Sequence, residues 1–277
     1  MSCWKECDKM QKNAFEKVSS LSVTAVRKDG KTILQDIHFT APYKIMQPFI
    51  QKDGGIQIML LSASAGIMEG DCQDFKFKIC TGAQLEFISQ SYDKIHQMKD
   101  GCAVRNTVIY VESGGTFFFH PQPTIPFRDS AFENKTQVFL KDDTSNFWMS
   151  EILCSGRYGM GESFAYRFYN NLVEIWRDSN LIYRDNTRYD PKLFPMNGTG
   201  MYEGFTHLLN IFSTCPKNPE AFIREVQDLL TDEREMQGGI TKLRKGDFCV
   251  RVFGYRAQKL EEKSQQIQQI WKNQNKK

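Results

Sequence analysis

Phe75, Phe77 and Ile79 alternate with Lys76 and Lys78, and the same two-residue period returns in segment after segment of the 277-residue chain. Such alternation places apolar side chains on one face of a strand and polar ones on the other, so it predicts half-buried β-structure. "AQLEFISQ" follows across a Thr81-Gly82 turn, and "VRNTVIYVESGGTFFFH" reads as two strands joined by a Gly114-Gly115 hairpin signal. "TQVFLKDDTSNFWMSEIL" repeats the design with a polar turn at Asp142 to Asn146. "ESFAYRFYNNLVEIWRDSNLIYRDN" adds strands turning at Asn170-Asn171 and from Arg177 to Asn180. Turn signals at intervals of about 8–12 residues suit an all-β sandwich, barrel or solenoid. No residue-level repeat marks a regular solenoid. The 21 Phe and 10 Tyr also favour a strand-rich core.

Two helices are predicted, both late. Asn218 can cap, Pro219 suits the first helical position, and Glu220 complements the dipole. Phe222, Val226, Leu229 and Leu230 then share one face, and Gly238-Gly239 is read as the end of that element. A hairpin follows in "ITKLRKGDFCVRVFG", turning at Lys245-Gly246-Asp247. The second helix is expected from near Tyr255 to Trp271, with Leu260, Ile267 and Trp271 in a narrow apolar stripe. No linker divides the chain, which reads as one β-dominated domain.

A net charge of +3 is too mild to argue for nucleic acid. "MSCWKECDKM" lacks the apolar run of a signal peptide, and nothing approaches the roughly 18 apolar residues of a membrane span, so the cytosol is expected. The eight cysteines are scattered, which argues against a disulfide scaffold. Cys3 and Cys7 form a lone C-x-x-x-C, read as part of a flexible N-terminal arm over residues 1–20. The domain is expected over 21–277.

The chain has no G-x-x-x-x-G-K-[ST] to cradle nucleotide phosphates and no G-x-S-x-G elbow; Ser64 lies in "SASAG", which lacks the first glycine. Neither H-E-x-x-H nor paired C-x-x-C marks a zinc site. Polar residues at strand ends and turns remain: Glu69 and Asp71 beside Gly66 and Gly70, Asp93 and His96, Glu151, Arg157 and Glu162, Asp185, and His207. Taken singly, each reads as a turn residue or a satisfied partner of a nearby amide. Taken together, acids in strand-like segments need partners, because a buried carboxylate is costly unless paired or hydrated. A water-filled interior passage would satisfy them.

In order along the chain stand "APYKIMQPF", "LLSASAGIMEGD", "ISQSYDKIHQM", "PQPTIPF", "SEILCSGRYGMGESF", "IYRDNTRYDP" and "YEGFTHLLNI". This series resembles the UreD family of urease accessory proteins, called UreH in some bacteria, over roughly residues 33 to 254. Ala65 stands where many members have a second glycine, and the first 20 residues match nothing in the family pattern. The resemblance implies a mainly β fold, a sandwich or β-helix-like arrangement with helices toward the C-terminal part. It implies a maturation factor and no enzyme activity. Such a protein binds UreF, as a two-by-two complex, recruits the GTPase UreG, docks on urease apoprotein subunits and delivers nickel. No nucleic acid, membrane or tightly bound cofactor is expected; nickel is cargo in transit.

On this reading Asp71, Glu151 and Glu162 line a transient nickel path, since carboxylates and waters hold nickel more weakly than a thiolate–imidazole cage. Asp71 has a second reading, bonding only the amides of its own turn. Two other functions stay open: a scaffold without a metal path, and an enzyme using Asp71 and Glu151 as an acid–base pair in an open cleft.

Overall fold

The computed structural model of the chain describes residues 18–231 and 235–276. The alternating segments form β1 (Ser19–Lys28), β2 (Lys31–Phe39), β3 (Tyr43–Ile45), β4 (Phe49–Ile50), β5 (Ile56–Ser62), β6 (Cys72–Ile79), β7 (Gln84–Ser89), β8 (Asp93–Ile95) and β9 (Ala103–Val111). They continue with β10 (Thr116–His120), β11 (Thr124–Pro126), β12 (Ala131–Leu140), β13 (Asn146–Cys154), β14 (Phe168–Arg177), β15 (Asn180–Tyr189), β16 (His207–Ser213), β17 (Met236–Lys242) and β18 (Phe248–Gly254). Helices α1 (Pro219–Thr231) and α2 (Ala257–Lys276) complete the fold.

The strands make two sheets. The first has the order β15-β14-β12-β9-β6-β1-β2, and the second is built on β17-β18-β16-β13-β10-β7-β5-β3. From β5 to β14 the chain shuttles between them, laying each main strand parallel to one a full coil earlier. Gln73 pairs with Arg105, Arg105 with Asn134, and Asn134 with Asn171, all in parallel register. The molecule is therefore mainly β, a sandwich whose middle is wound as a β-helix.

This winding corrects the hairpins expected at Gly114-Gly115 and Asp142 to Asn146, while the turn expected at Thr81-Gly82 forms. All three are corners between sheets. Their flanking strands present apolar faces to each other across the core: Phe77 of β6 meets Phe87 of β7 and Phe117 of β10, with ring centroids 5.0 and 5.2 Å apart. The corners stack, with the Gly82 amide donating to Ser113 and the Gly114 amide to Thr144 Oγ1. Asn170-Asn171 is no turn either; β14 runs through it, paired on both sides. The turn at Asp178-Ser179 and the β17–β18 turn are true antiparallel hairpins.

Both predicted helices form. Phe222, Val226 and Leu230 of α1 and Leu260, Ile267 and Trp271 of α2 pack on the outer face of the second sheet against Phe118, Trp148 and Phe248. Gly238-Gly239 does not end α1 but lies within β17. Among the described cysteines, Cys80, Cys154, Cys215 and Cys249 are free. Cys72 and Cys102 are each disulfide-bonded, which their scattered spacing did not signal. Cys3, Cys7 and most of the expected N-terminal arm lie outside the described residues, while Ser19 and Ser20 open β1.

Candidate functional site

One level of the first sheet's inner face is polar on strand after strand. Ser19, Gln73, Arg105, Asn134, Asn171 and Thr187 stand in register across β1, β6, β9, β12, β14 and β15. Two residues further along the strands the level is mixed, with Phe75, Thr107, Thr136 and Val173. The level beyond is apolar, with Phe77, Ile109, Val138 and Ile175. On the second sheet Glu151 stands opposite Asn210, and Asn210 opposite Arg251. The two polar rows face each other near one end of the sandwich.

Burying a polar group is costly unless it is bonded. Arg105 Nε donates to Gln73 Oε1 at 2.8 Å, and its Nη1 pairs with Asp93 Oδ2 at 2.6 Å. Asn134 donates to Asn171 at 2.8 Å, and Asn171 donates to Glu151 Oε2 at 3.2 Å. The Oδ1 atoms of Asn134 and Asn210 are buried with no bonded partner.

Between the rows lie two cavities, of about 80 and about 30 Å³. They share Arg105, Pro121, Asn134 and Glu151 as walls. The first also meets Ser64, Gly66, Asp71, Asp93 and Lys94; the second meets Asn171, Thr187 and Asn210. A water occupies about 30 Å³ in the liquid, so these spaces suit waters or a partly hydrated ion. They are far below the roughly 300 Å³ or more of an ordinary small-molecule pocket.

Burial pushes the Asp71 carboxyl above its usual range, although it accepts the Met68 amide at 2.8 Å. Both readings of Asp71 thus hold geometrically: it bonds its own turn and lines the first cavity. Burial pushes Glu151 up to about 7, against the bond from Asn171. For Arg105, burial opposes the charge, but Asp93 outweighs it and holds the guanidinium pKa above its usual value.

The other candidate residues are placed as follows. Gly66 approaches β8 so closely that a Cβ would sit 2.4 Å from the Lys94 carbonyl oxygen. His96 packs on Phe127 and bonds the Ala65 carbonyl through Nε2. Ala65 does not adopt a positive φ, so the missing glycine costs the loop nothing there. Glu69 accepts the amides of Lys99, Asp100 and Gly101, which draws its pKa down, and Gly70 turns with φ +81°. Glu162 lines neither cavity; Arg157 Nε holds it at 2.9 Å, and the Arg128 amide adds a bond. Asp185 is tied by Arg251 at 2.6 Å and by Thr187. His207 is buried against Thr206 Oγ1, and burial lowers it to about 4. Among the described residues no three His, Cys, Asp or Glu converge to hold a metal ion.

Gln73, Arg105, Asn134, Asn171 and Asn210 were not foreseen. Their signal was a polar residue at inward parity near the start of each strand, as Gln73 is before Phe75 and Phe77.

Strand winding, helices on one face only and a polar seam between the sheets define a β-helical body with two small polar cavities in its interior. The family model described as UreD urease accessory protein matches residues 17–276. The urease accessory protein UreD of Acetivibrio thermocellus is 39% identical over 251 residues, covering 90% of this chain and 95% of that protein. UreH of Helicobacter pylori (strain P12) is 34% identical over 242 residues, with 87% and 89% covered, and UreD of Flavobacterium johnsoniae is 29% identical over 258 residues, with 92% of each covered. The chain belongs to the UreD family of urease accessory proteins. Membership makes it an assembly factor and not a catalyst. No helix among the described residues is long and apolar enough to cross a membrane.

Proposed function

We propose that this protein works in the cytoplasm with UreF, as a two-by-two complex, and with the GTPase UreG, docking on urease apoprotein and passing nickel to it through the interior cavities. The observation that supports the passage is the sharing of Arg105, Asn134 and Glu151 by both cavities, with Asp71 and Asp93 lining the first. Oxygen donors spaced along a hydrated route attract a divalent cation and release it, which a converged cage would not. Asp71 and Glu151 are the route's acids, and Glu162 anchors the loop beside it. Cavities this small do not accommodate an acid–base enzyme's substrate, so the carboxylate-pair reading has no support.

Co-expression with UreF, UreG and urease subunits tests the proposal. Asp71→Leu and Glu151→Leu should keep UreF and urease in pull-down while lowering the nickel content and activity of the matured enzyme, and should do so more than the Ala variants, because Leu also dries the passage. Full activation by both Leu variants would refute the route and leave a scaffold.

A further inference from the structure

Arg105 is an unexpected wall for a metal route. It lines both cavities, in a space where Asp71, Asp93 and Glu151 would otherwise make a deep well for a cation. Its guanidinium is held on several sides: by Gln73, by Asp93, and by the rings of Phe75 and Phe132, whose centroids lie 5.2 and 5.8 Å from its central carbon. Glu151, a second carboxyl on the same walls, feels the guanidinium's charge.

We propose that Arg105 is a resident counter-cation, occupying the metal's place beside Asp93, and that a divalent cation crosses between the cavities by taking Asp93 from it while the guanidinium turns to Glu151. The inference rests on the reading of the cavities as a nickel route. Its physical basis is competition. A charge-assisted bond at 2.6 Å resists a hydrated monovalent ion, which brings one charge and no directional bond. A divalent cation brings twice the charge and coordinates the same oxygens. Glu151 shares the walls of both cavities with Arg105, so the displaced guanidinium has a second carboxyl to turn to. The route therefore selects divalent cations, and its acids do not retain them.

Nickel binding to the purified full chain, measured by calorimetry, tests this. Arg105→Gln leaves Asp93 without its cation, so nickel should bind about tenfold tighter or more. Arg105→Gln combined with Asp93→Asn should return to the weak binding of the parent, and Arg105→Lys should remain weak. No tightening in Arg105→Gln, or tightening that survives Asp93→Asn, overturns the proposal. Should Arg105→Gln fail to fold, the unaltered protein carries the test. With arginine side chains labelled with ¹⁵N, zinc as a diamagnetic stand-in should shift the Arg105 Nε–H resonance. A resonance unmoved at saturating zinc overturns the proposal equally. These affinities are independent of the urease assay, in which the failure of the route itself would appear as full activation by the Asp71→Leu and Glu151→Leu variants.

Discussion

Asn171 on the first sheet donates its side-chain amide to Glu151 on the second at 3.2 Å, and this hydrogen bond ties the two polar rows together at Glu151, which lines both cavities.

Glu151 gives a pH-dependent prediction. An ordinary glutamate titrates near 4.5, and burial raises Glu151 to about 7, so the folded chain holds this proton more firmly than the unfolded one. Its contribution to stability is complete below about pH 4.5 and is lost as the pH rises through about 7. Glu151→Gln mimics the neutral acid at every pH. Between about pH 5 and about pH 8 its melting temperature should therefore gain on the parent's, by about 2–4 °C for each kcal/mol of the linked term. Parallel melting curves across that range would show that Glu151 ionises without penalty.

Gly66 tolerates no side chain. The Cβ of Gly66→Ala would lie 2.4 Å from the Lys94 carbonyl oxygen and 2.7 Å from His96 Cδ2, at φ +152°. Backbone must move, and we expect a loss of about 2–4 kcal/mol in urea denaturation. A variant as stable as the parent would show that the loop over the first cavity is loosely held.

A buried ion pair should outweigh an exposed one on the same arginine. Asp247 is fully buried and takes Arg177 Nη1 and Nη2 at 3.0 and 2.7 Å, joining the end of β14 to the β17–β18 turn. Asp247→Ala strands that guanidinium and should cost about 3–5 kcal/mol. Asp143, 94% exposed and 3.5 Å from the same side chain, should leave the denaturation midpoint unchanged when replaced by Ala. Equal effects from the two would mean that Arg177 is solvated in the folded chain.

Trp271 fastens α2. Its ring meets Phe118 and Trp148 edge-on, and Nε1 donates to the Thr214 carbonyl at 2.8 Å. Trp271→Ala should cost about 3–5 kcal/mol, with Trp271→Phe recovering part of it. Amide exchange along α2 should rise in step; a helix that stays protected in the Ala variant would have another anchor.

Alternation located the strands because a half-buried strand shows its two faces in its own residues. It did not reveal their neighbours. The corner at Gly114-Gly115 and the hairpin at Asp178-Ser179 both read as turns between alternating segments, and they differ in that β9 and β10 lie in different sheets while β14 and β15 pair with each other. Asp71, Asp93 and Glu151 were legible as acids in strand-like segments. Arg105, Asn134 and Asn171 were not, because what unites them is register between coils, and no local window contains it. Glu162 looked like Glu151 in sequence, but Arg157, five residues earlier, claims it.

The coiled path also fixes an order of assembly. Gln73, Arg105, Asn134 and Asn171 reach their common level one coil at a time, and Asn210 only after the chain has crossed back. During synthesis each new strand covers the hydrogen-bonding edge of the last, from the N-terminal side onward. A ribosome-bound chain that has not yet emitted β16 possesses most of the core but only an open trough where the second cavity will be. The second cavity is therefore among the last features to close, and a nascent chain stalled before Asn210 would display its row of amides to water.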